Sequence, residues 1–403
     1  MKHIACSRIW KDVKISPTRK EINNCCKRIG YSPSIDEVEK QGSKIFTSNP
    51  DFISEKKEIM QTNKLTSPCN DCIRHWPNSY WDVMNDWKDK DWNKEDLEKL
   101  PFEELTQNIE IKLSSTCNMT CMYCNEFSSS LWAKLKDVDI NEDVEWGRKV
   151  LEKLFDFVET LTDRSLTFTF LGGEPLLEPD IYEIIDRLSS ILHTSNYRHK
   201  IRFTTNLNVK PKVIQNFIEI TKKYDNIDWI ICASIDATGT IGEEIRDGLS
   251  WDLFEQNVIT LLNSPSISKF DFQPTMNCLN IPYYKEYLEW IVRLVEDSRK
   301  IENIGKTWAI TSNMVTYPRA MYPGVLPKKY NTYVEDCVQY LRSAGLGSSF
   351  QYQALEHLLT IIGSSRSKEQ LSQVKTFIDY QSKIKNKDYY SIFPHIKDIL
   401  EEI

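Results

Sequence analysis

The sequence predicts an α/β fold in which parallel strands are joined by amphipathic helices, between a cysteine-rich amino-terminal segment and a helical carboxy-terminal region. Three observations lead there. Six short runs rich in β-branched and aromatic residues lie between residues 105 and 320. Stretches with apolar residues at helical spacing separate them. Beyond residue 330 the strand pattern stops and only helical periodicity remains. Strand–helix alternation of this kind favours a parallel sheet with right-handed crossovers. Pattern alone does not separate an open sheet from a barrel.

The elements can be taken in order. Residues 1–78 hold Cys6, Cys25, Cys26, Cys69 and Cys72 and read as a small metal-binding domain. Residues 79–104 carry Trp81, Trp87 and Trp92 among Asp, Lys and Asn, close at Pro101, and read as a polar linker or a strapped-on helix. The strands expected in the core, 105–320, are Ile109–Leu113, Leu166–Leu171, Lys200–Thr205, Asp228–Ile235, Lys269–Pro274 and Trp308–Thr311. In the first intervening helix Val150, Leu151, Leu154, Phe155, Val158 and Leu161 share a face. Further helices are expected near Asp180–Leu192, Lys212–Lys223, Trp251–Leu262 and Tyr283–Glu296. Residues 321–403 form a helical extension, with helices at Val334–Ser343 and Glu369–Lys383.

Bulk properties narrow the classes. With 40% hydrophobic and 27% charged residues in 403, the composition is that of an ordinary globular protein. No run of eighteen apolar residues exists and the first residues lack the apolar core of a signal peptide, so a cytoplasmic location without a membrane span is expected. A formal charge of −7 argues against a general nucleic-acid binder. In that compartment eleven cysteines point to metal or redox use rather than disulfides. Cys232, Cys278 and Cys337 stand alone and are expected to pack as small apolar side chains.

The most informative string is Cys117-Asn118-Met119-Thr120-Cys121-Met122-Tyr123-Cys124, a C-x3-C-x2-C pattern. Three thiolates within eight residues can grip one face of an iron–sulfur cluster, and a 4Fe–4S cluster normally takes four cysteines. No fourth follows before Cys232, so one iron would be left open, which by analogy with zinc marks a catalytic site rather than a closed structural one. A zinc knuckle is the competing reading, but zinc wants four ligands, usually in C-x2-C or C-x4-C pairs. Some fifty residues on, the second strand ends in Gly172-Gly173-Glu174-Pro175. There glycines permit close backbone approach and a carboxylate stands beside exposed amides.

The spacing and the GGEP string together resemble the radical S-adenosylmethionine (radical SAM) superfamily. The resemblance implies a partial six-strand (β/α) barrel with its site at the carboxy-terminal strand ends. It implies that Cys117, Cys121 and Cys124 hold a 4Fe–4S cluster whose open iron chelates SAM, and that electron transfer cleaves SAM to a 5′-deoxyadenosyl radical that takes hydrogen from a substrate. Gly172, Gly173 and Glu174 would receive the SAM amino group, and Tyr123 lies beside the last cysteine. Softer matches add Asn206, from the strand-end Thr205-Asn206, where the family often has glycine next and this chain has Leu207. They also add Ser234, from Ser234-Ile235-Asp236, aimed at the ribose, and Arg246, toward the SAM carboxylate.

The amino-terminal cysteines resemble the twitch or SPASM auxiliary-cluster module of some radical SAM enzymes. That resemblance implies a second 4Fe–4S cluster on Cys6, Cys25, Cys69 and Cys72, with Cys26 the alternative to Cys25 and structural zinc the alternative metal. The module usually follows the barrel, and its hairpin glycine would fall near Lys20. The expected activity is a radical SAM reaction on a peptide or protein side chain. A small sugar or nucleotide is the alternative substrate. The family reading also implies a reducing partner such as flavodoxin or ferredoxin. A non-catalytic iron–sulfur carrier or sensor, or a zinc-stapled adaptor, is the reading from another class. Tyr317, Pro318, Tyr322, Pro323 and Pro327 mark the loop leaving the last strand, where substrate would be gripped.

Overall fold

The structure, a computed structural model, describes residues 11–16, 19–24, 30–47, 50, 53, 54, 58, 106–140, 142–299, 307–345 and 349–401. Cys6, Cys25, Cys26, Cys69, Cys72 and the 79–104 linker lie outside them. The chain divides into two compact units. One draws on residues up to Ser115, Ile140–Phe203 and Lys223–Asp228; the other draws on Thr116–Asp139, Thr204–Lys222 and Trp229–Ile403.

In the first unit the strands are β1 (Asp12–Ser16), β2 (Glu21–Asn23), β3 (Asn108–Lys112), β4 (Thr167–Leu171) and β5 (His199–Thr205, to Phe203 here), in the order β2-β1-β3-β4-β5. β2 pairs antiparallel with β1, and the remaining pairs are parallel. Alternation explains the register: Val13 and Ile15 lie beside Ile109 and Ile111, all buried, while Lys14 and Glu110 form an ion pair at 2.8 Å on the other face. Phe168 and Phe170 continue the apolar row against Ile201 and Phe203, and the Phe170 and Phe203 rings stack at 4.9 Å. The β1–β2 hairpin turns through Lys20, whose φ of 52° is the conformation glycine adopts most easily, at the position where the hairpin glycine was missing. The helices Val144–Glu159 and Ile181–His193 cover the strands with Val150, Leu154, Phe157 and Val158, and with Ile181, Ile185, Leu188 and Leu192.

In the second unit β6 (Ile227–Ala233, from Trp229 here), β7 (Ile267–Phe272) and β9 (Thr307–Ile310) form parallel pairs, and the short β8 (Thr275–Met276) and β10 (Asn313–Met314) pair separately. The six core strands read from the sequence are therefore β3, β4, β5, β6, β7 and β9, each within two residues of its expected start. The helices Pro211–Thr221, Trp251–Leu262 and Tyr284–Arg299 also fall where periodicity puts them. Cys232, Cys278 and Cys337 are buried, as expected of packing cysteines. No helix among the described residues is long and apolar enough to cross a membrane.

The carboxy-terminal residues form helices at Asn331–Ser343, Ser349–Ile361 and Lys368–Lys385, followed by the short Tyr389–Ile392 and Ile396–Leu400. Helix Lys368–Lys385 starts with a reciprocal cap between Ser367 and Gln370 and ends at Asn386, which is left-handed at φ 52°. Buried His395 donates from Nε2 to the Cys278 carbonyl at 3.1 Å. Burial depresses its pKa to about 4, with that hydrogen bond opposing. A histidine that is neutral when folded and protonates freely when unfolded contributes stability present above pH 6.5 and lost as pH falls toward 4. The expected loss is about 3 kcal/mol by pH 4. Comparing urea unfolding of the wild type and His395→Gln across that range checks it. Parallel pH profiles would refute it.

Candidate active site

The expected site residues fall in both units, and each group can be built from its own backbone. In the first unit the end of β4 is locked to the end of β3. Gly172 has φ +143°, and a Cβ there would stand 2.7 Å from the Ser114 carbonyl oxygen. The Gly173 amide donates to the same oxygen at 3.0 Å. Glycine is required by this approach, as the motif implies. Glu174 follows, 1% exposed, and its carboxylate accepts the Leu176 amide at 3.0 Å, heading the short turn Pro175–Leu177. Ser114 Oγ bonds Glu178, and the Ser115 amide donates to Glu142 at 2.7 Å.

In the second unit the three cysteines sit on a loop whose intervening backbone groups are held on several sides. The Thr120 amide donates to the Asp247 carbonyl at 2.7 Å and the Met122 amide to that of Ile245 at 2.9 Å. Trp132 Nε1 donates to the Cys121 carbonyl at 2.9 Å, Ser129 Oγ to that of Met119 at 2.7 Å, and the Cys117 amide to Ser130 Oγ at 3.1 Å. Cys121 is buried, whereas Cys117 and Cys124 are partly exposed. Burial pushes the Cys121 thiol up to about 12, with Cys124, Cys117 and Asp236 adding and Arg246 opposing. Coordination would release that proton.

Asn206 and Arg246 are both tied to this loop. The Asn206 side chain donates to Asn118 Oδ1 at 3.0 Å and accepts the Asn208 amide at 2.8 Å. Leu207, in place of the family's glycine, takes φ 53° and is fully buried, so the chain makes a glycine-like turn with a leucine in the core. The Ser234 amide donates to the Thr205 carbonyl at 2.8 Å, and its hydroxyl makes no hydrogen bond among the described residues.

Arg246 is buried and already has a carboxylate partner: Nε lies 2.9 Å from Asp236 Oδ2 and Nη2 3.1 Å from Oδ1. Burial disfavours the guanidinium charge, but Asp236 outweighs it and holds the group above its ordinary range. Its Cζ lies 5.5 Å from the centre of the Tyr123 ring, and Tyr123 donates its hydroxyl to Asp236 at 2.6 Å. Asp236 also accepts the Thr275 amide at 2.7 Å. This carboxylate organises Tyr123, Arg246 and the start of β8, a role that sequence reading missed although the Ser-x-Asp string contained it.

A second missed role belongs to the carboxy-terminal helix Lys368–Lys385, whose existence periodicity did indicate at Glu369–Lys383. Gln381 Nε2 donates to the Met122 carbonyl at 3.4 Å, and Lys385 Nζ donates to the Thr120 carbonyl at 2.5 Å. Lys387 pairs with Glu244 at 2.7 Å and with Asp247 at 2.8 Å, while Asp247 accepts the Thr120 hydroxyl at 2.6 Å. The left-handed Asn386 between the two lysines lets both reach this corner. No sequence signal marked them beyond a Lys-x-Lys at a helix end.

Among the described residues, no three His, Cys, Asp or Glu side chains converge as a single metal ion would require. A cluster makes a different demand, because each thiolate bonds its own iron. Three mutually influencing thiols on one braced loop fit that donor set.

Fold and loop define an α/β protein with parallel strands and a loop that brings together three cysteines. Residues 111–230 match the radical SAM superfamily profile, which supports a radical SAM-type enzyme. That match includes Cys117, Cys121, Cys124, Glu174 and Asn206 and stops just short of Ser234. The chain is also 24% identical over 189 residues to an uncharacterised protein of Methanocaldococcus jannaschii, which covers 46% of this chain and 58% of that protein. The chain thus spans less than two thirds of this relative.

Proposed function

We propose that the protein is a radical SAM enzyme acting on a peptide or protein side chain, with a small sugar or nucleotide as the alternative substrate. The observation that carries the chemistry is the C-x3-C-x2-C loop with its backbone held by Asp247, Ile245 and Trp132. A 4Fe–4S cluster bound there would supply the electron that cleaves SAM and so the 5′-deoxyadenosyl radical that takes hydrogen from the substrate. The protein's own part is to hold, orient and exclude water. Cys117, Cys121 and Cys124 hold the cluster and leave one iron for SAM. Glu174, with Gly172 and Gly173, receives the SAM amino group. The Ser234 hydroxyl is available for the ribose. Tyr123, Asn206 and Arg246 line and stiffen the loop, the last through Asp236.

In this reading the core, 105–320, is a partial six-strand barrel, residues 79–104 are a linker and 321–403 a helical extension. Residues 1–78 form a twitch-like domain in which Cys6, Cys25, Cys69 and Cys72 bind an auxiliary 4Fe–4S cluster. A flavodoxin or ferredoxin would deliver electrons.

The test is anaerobic reconstitution with iron and sulfide, then dithionite and SAM, with 5′-deoxyadenosine read by mass spectrometry and iron counted in the same sample. About eight irons and a product that Cys117→Ala abolishes are expected. About four irons with the same product would make the amino-terminal site zinc or empty. Bound iron without SAM cleavage under any reductant would favour the carrier or sensor, and a colourless protein the zinc-stapled adaptor.

A further inference from the structure

Lys385 lies outside the segment that matches the family profile. Its side chain is 1% exposed. Such burial of an ammonium group normally requires a close counter-charge and a full set of acceptors. Lys385 has less. It donates to the Thr120 carbonyl, while the nearest carboxylate oxygen, on Asp247, stands 3.7 Å away and that group pairs more closely with Lys387 at 2.8 Å. Its Nζ lies 4.8 Å from the centre of the Trp132 ring, and Trp132 Nε1 bonds the Cys121 carbonyl. A buried cation that shares its carboxylate with a second lysine is thus built against the loop backbone at Thr120. Further negative charge beside this pair of lysines is what three thiolates and a reduced cluster would bring.

We infer that Lys385 is a charge-setting and positioning residue for the loop: its ammonium stabilises the reduced form of a cluster held by Cys117, Cys121 and Cys124 and so raises its reduction potential. The inference rests on the function proposed above. Net charge, hydrogen bonding and solvent exposure around an iron–sulfur cluster set its potential. Lys385 supplies a charge and a hydrogen bond and, with Gln381 on the Met122 carbonyl, keeps water from this side of the loop.

The experiment is a redox titration of the full reconstituted chain at fixed pH, following the electron paramagnetic resonance signal that Cys117→Ala removes. Lys385→Gln keeps a donor for Thr120 and loses the charge; Lys385→Arg keeps the charge. The Gln variant is expected to shift the one-electron reduction equilibrium at least tenfold toward the oxidised form, about 59 mV more negative per factor of ten. The Arg variant should remain within about threefold of wild type, well under one such factor. Coincident titrations of wild type and Lys385→Gln would overturn the inference, as would an equal shift in both variants, which would mark a packing effect. If Lys385→Gln takes up no iron, Asp247→Asn serves instead: an opposite, upward shift supports the inference and no shift overturns it. A wild type with no such signal overturns the functional reading and the inference with it. A wild-type cluster whose potential ignores these charges overturns the inference alone.

Discussion

Replacing Asp236 by alanine is expected to lower the unfolding free energy by about 3–5 kcal/mol, the cost of leaving one member of a buried ion pair alone. Asp236 is fully buried and Arg246 6% exposed, so neither charge is rescued by solvent. The guanidinium cannot escape by deprotonating, because its pKa lies far above any working pH. The same change leaves the Tyr123 hydroxyl and the Thr275 amide without their acceptor. Asp236→Asn retains an acceptor and should fall between wild type and alanine. Adding Arg246→Met to Asp236→Ala should recover much of the loss, since an apolar side chain leaves no orphaned charge. Equilibrium urea unfolding of wild type, Asp236→Ala, Arg246→Met and the double variant measures the cycle, with Asp236→Asn measured alongside. A loss below about 1 kcal/mol for Asp236→Ala, the scale of an exposed pair, would mean that the pair is not buried in solution.

The second large effect is expected from Gly248→Ala. Gly248 has φ +100°, and an added Cβ would lie 2.8 Å from the Asn118 carbonyl oxygen and 3.2 Å from the Met119 Cα. Both are backbone atoms of the cysteine loop and cannot swing aside as a flexible side chain would. Backbone strain of about 1–3 kcal/mol combines with an overpacking cost of similar size, about 1–3 kcal/mol. Part of the stress should be relieved by displacing the loop between Cys117 and Cys121. The variant is therefore expected to lose about 2–5 kcal/mol and to take up less iron on reconstitution. Gly239→Ala is the matched control: φ is +51° there and nothing lies within 4 Å of the added Cβ, so only the strain applies. Equal iron uptake by Gly248→Ala and wild type would show that the loop does not depend on this contact.

Much of this architecture was legible in the sequence. The core strands were visible because β-branched and aromatic residues cluster in them, and the long helices because their apolar faces repeat at helical spacing. The cysteine loop and GGEP were visible because each is a compact string, and GGEP gained its weight from following the cysteines by some fifty residues. What stayed hidden depends on partners distant in the chain. β1 looks too short to stand alone, and its place was settled only by parallel pairing of Val13 and Ile15 with Ile109 and Ile111. Asp236 and Arg246 sat in quoted strings, but nothing local says that they face each other across ten residues. Lys20 and Leu207 lacked the expected glycine, yet both adopt positive φ. An absent glycine is weak evidence against a turn when tertiary contacts, such as the full burial of Leu207, can offset the strain.

The bracing of the cysteine loop by the carboxy-terminal helix sets an order of events during synthesis. Gln381 follows Met122 by 259 residues, and Lys385 follows Thr120 by 265. At about 5–20 residues per second, a ribosome makes Cys117, Cys121 and Cys124 some tens of seconds before Gln381 and Lys385. Over that interval Ser129, Ser130 and Trp132, and later Ile245 and Asp247, can already hold the loop, and only the carboxy-terminal contacts are missing. On the function proposed above, a cluster would gain its full bracing only once Gln381 and Lys385 have been made.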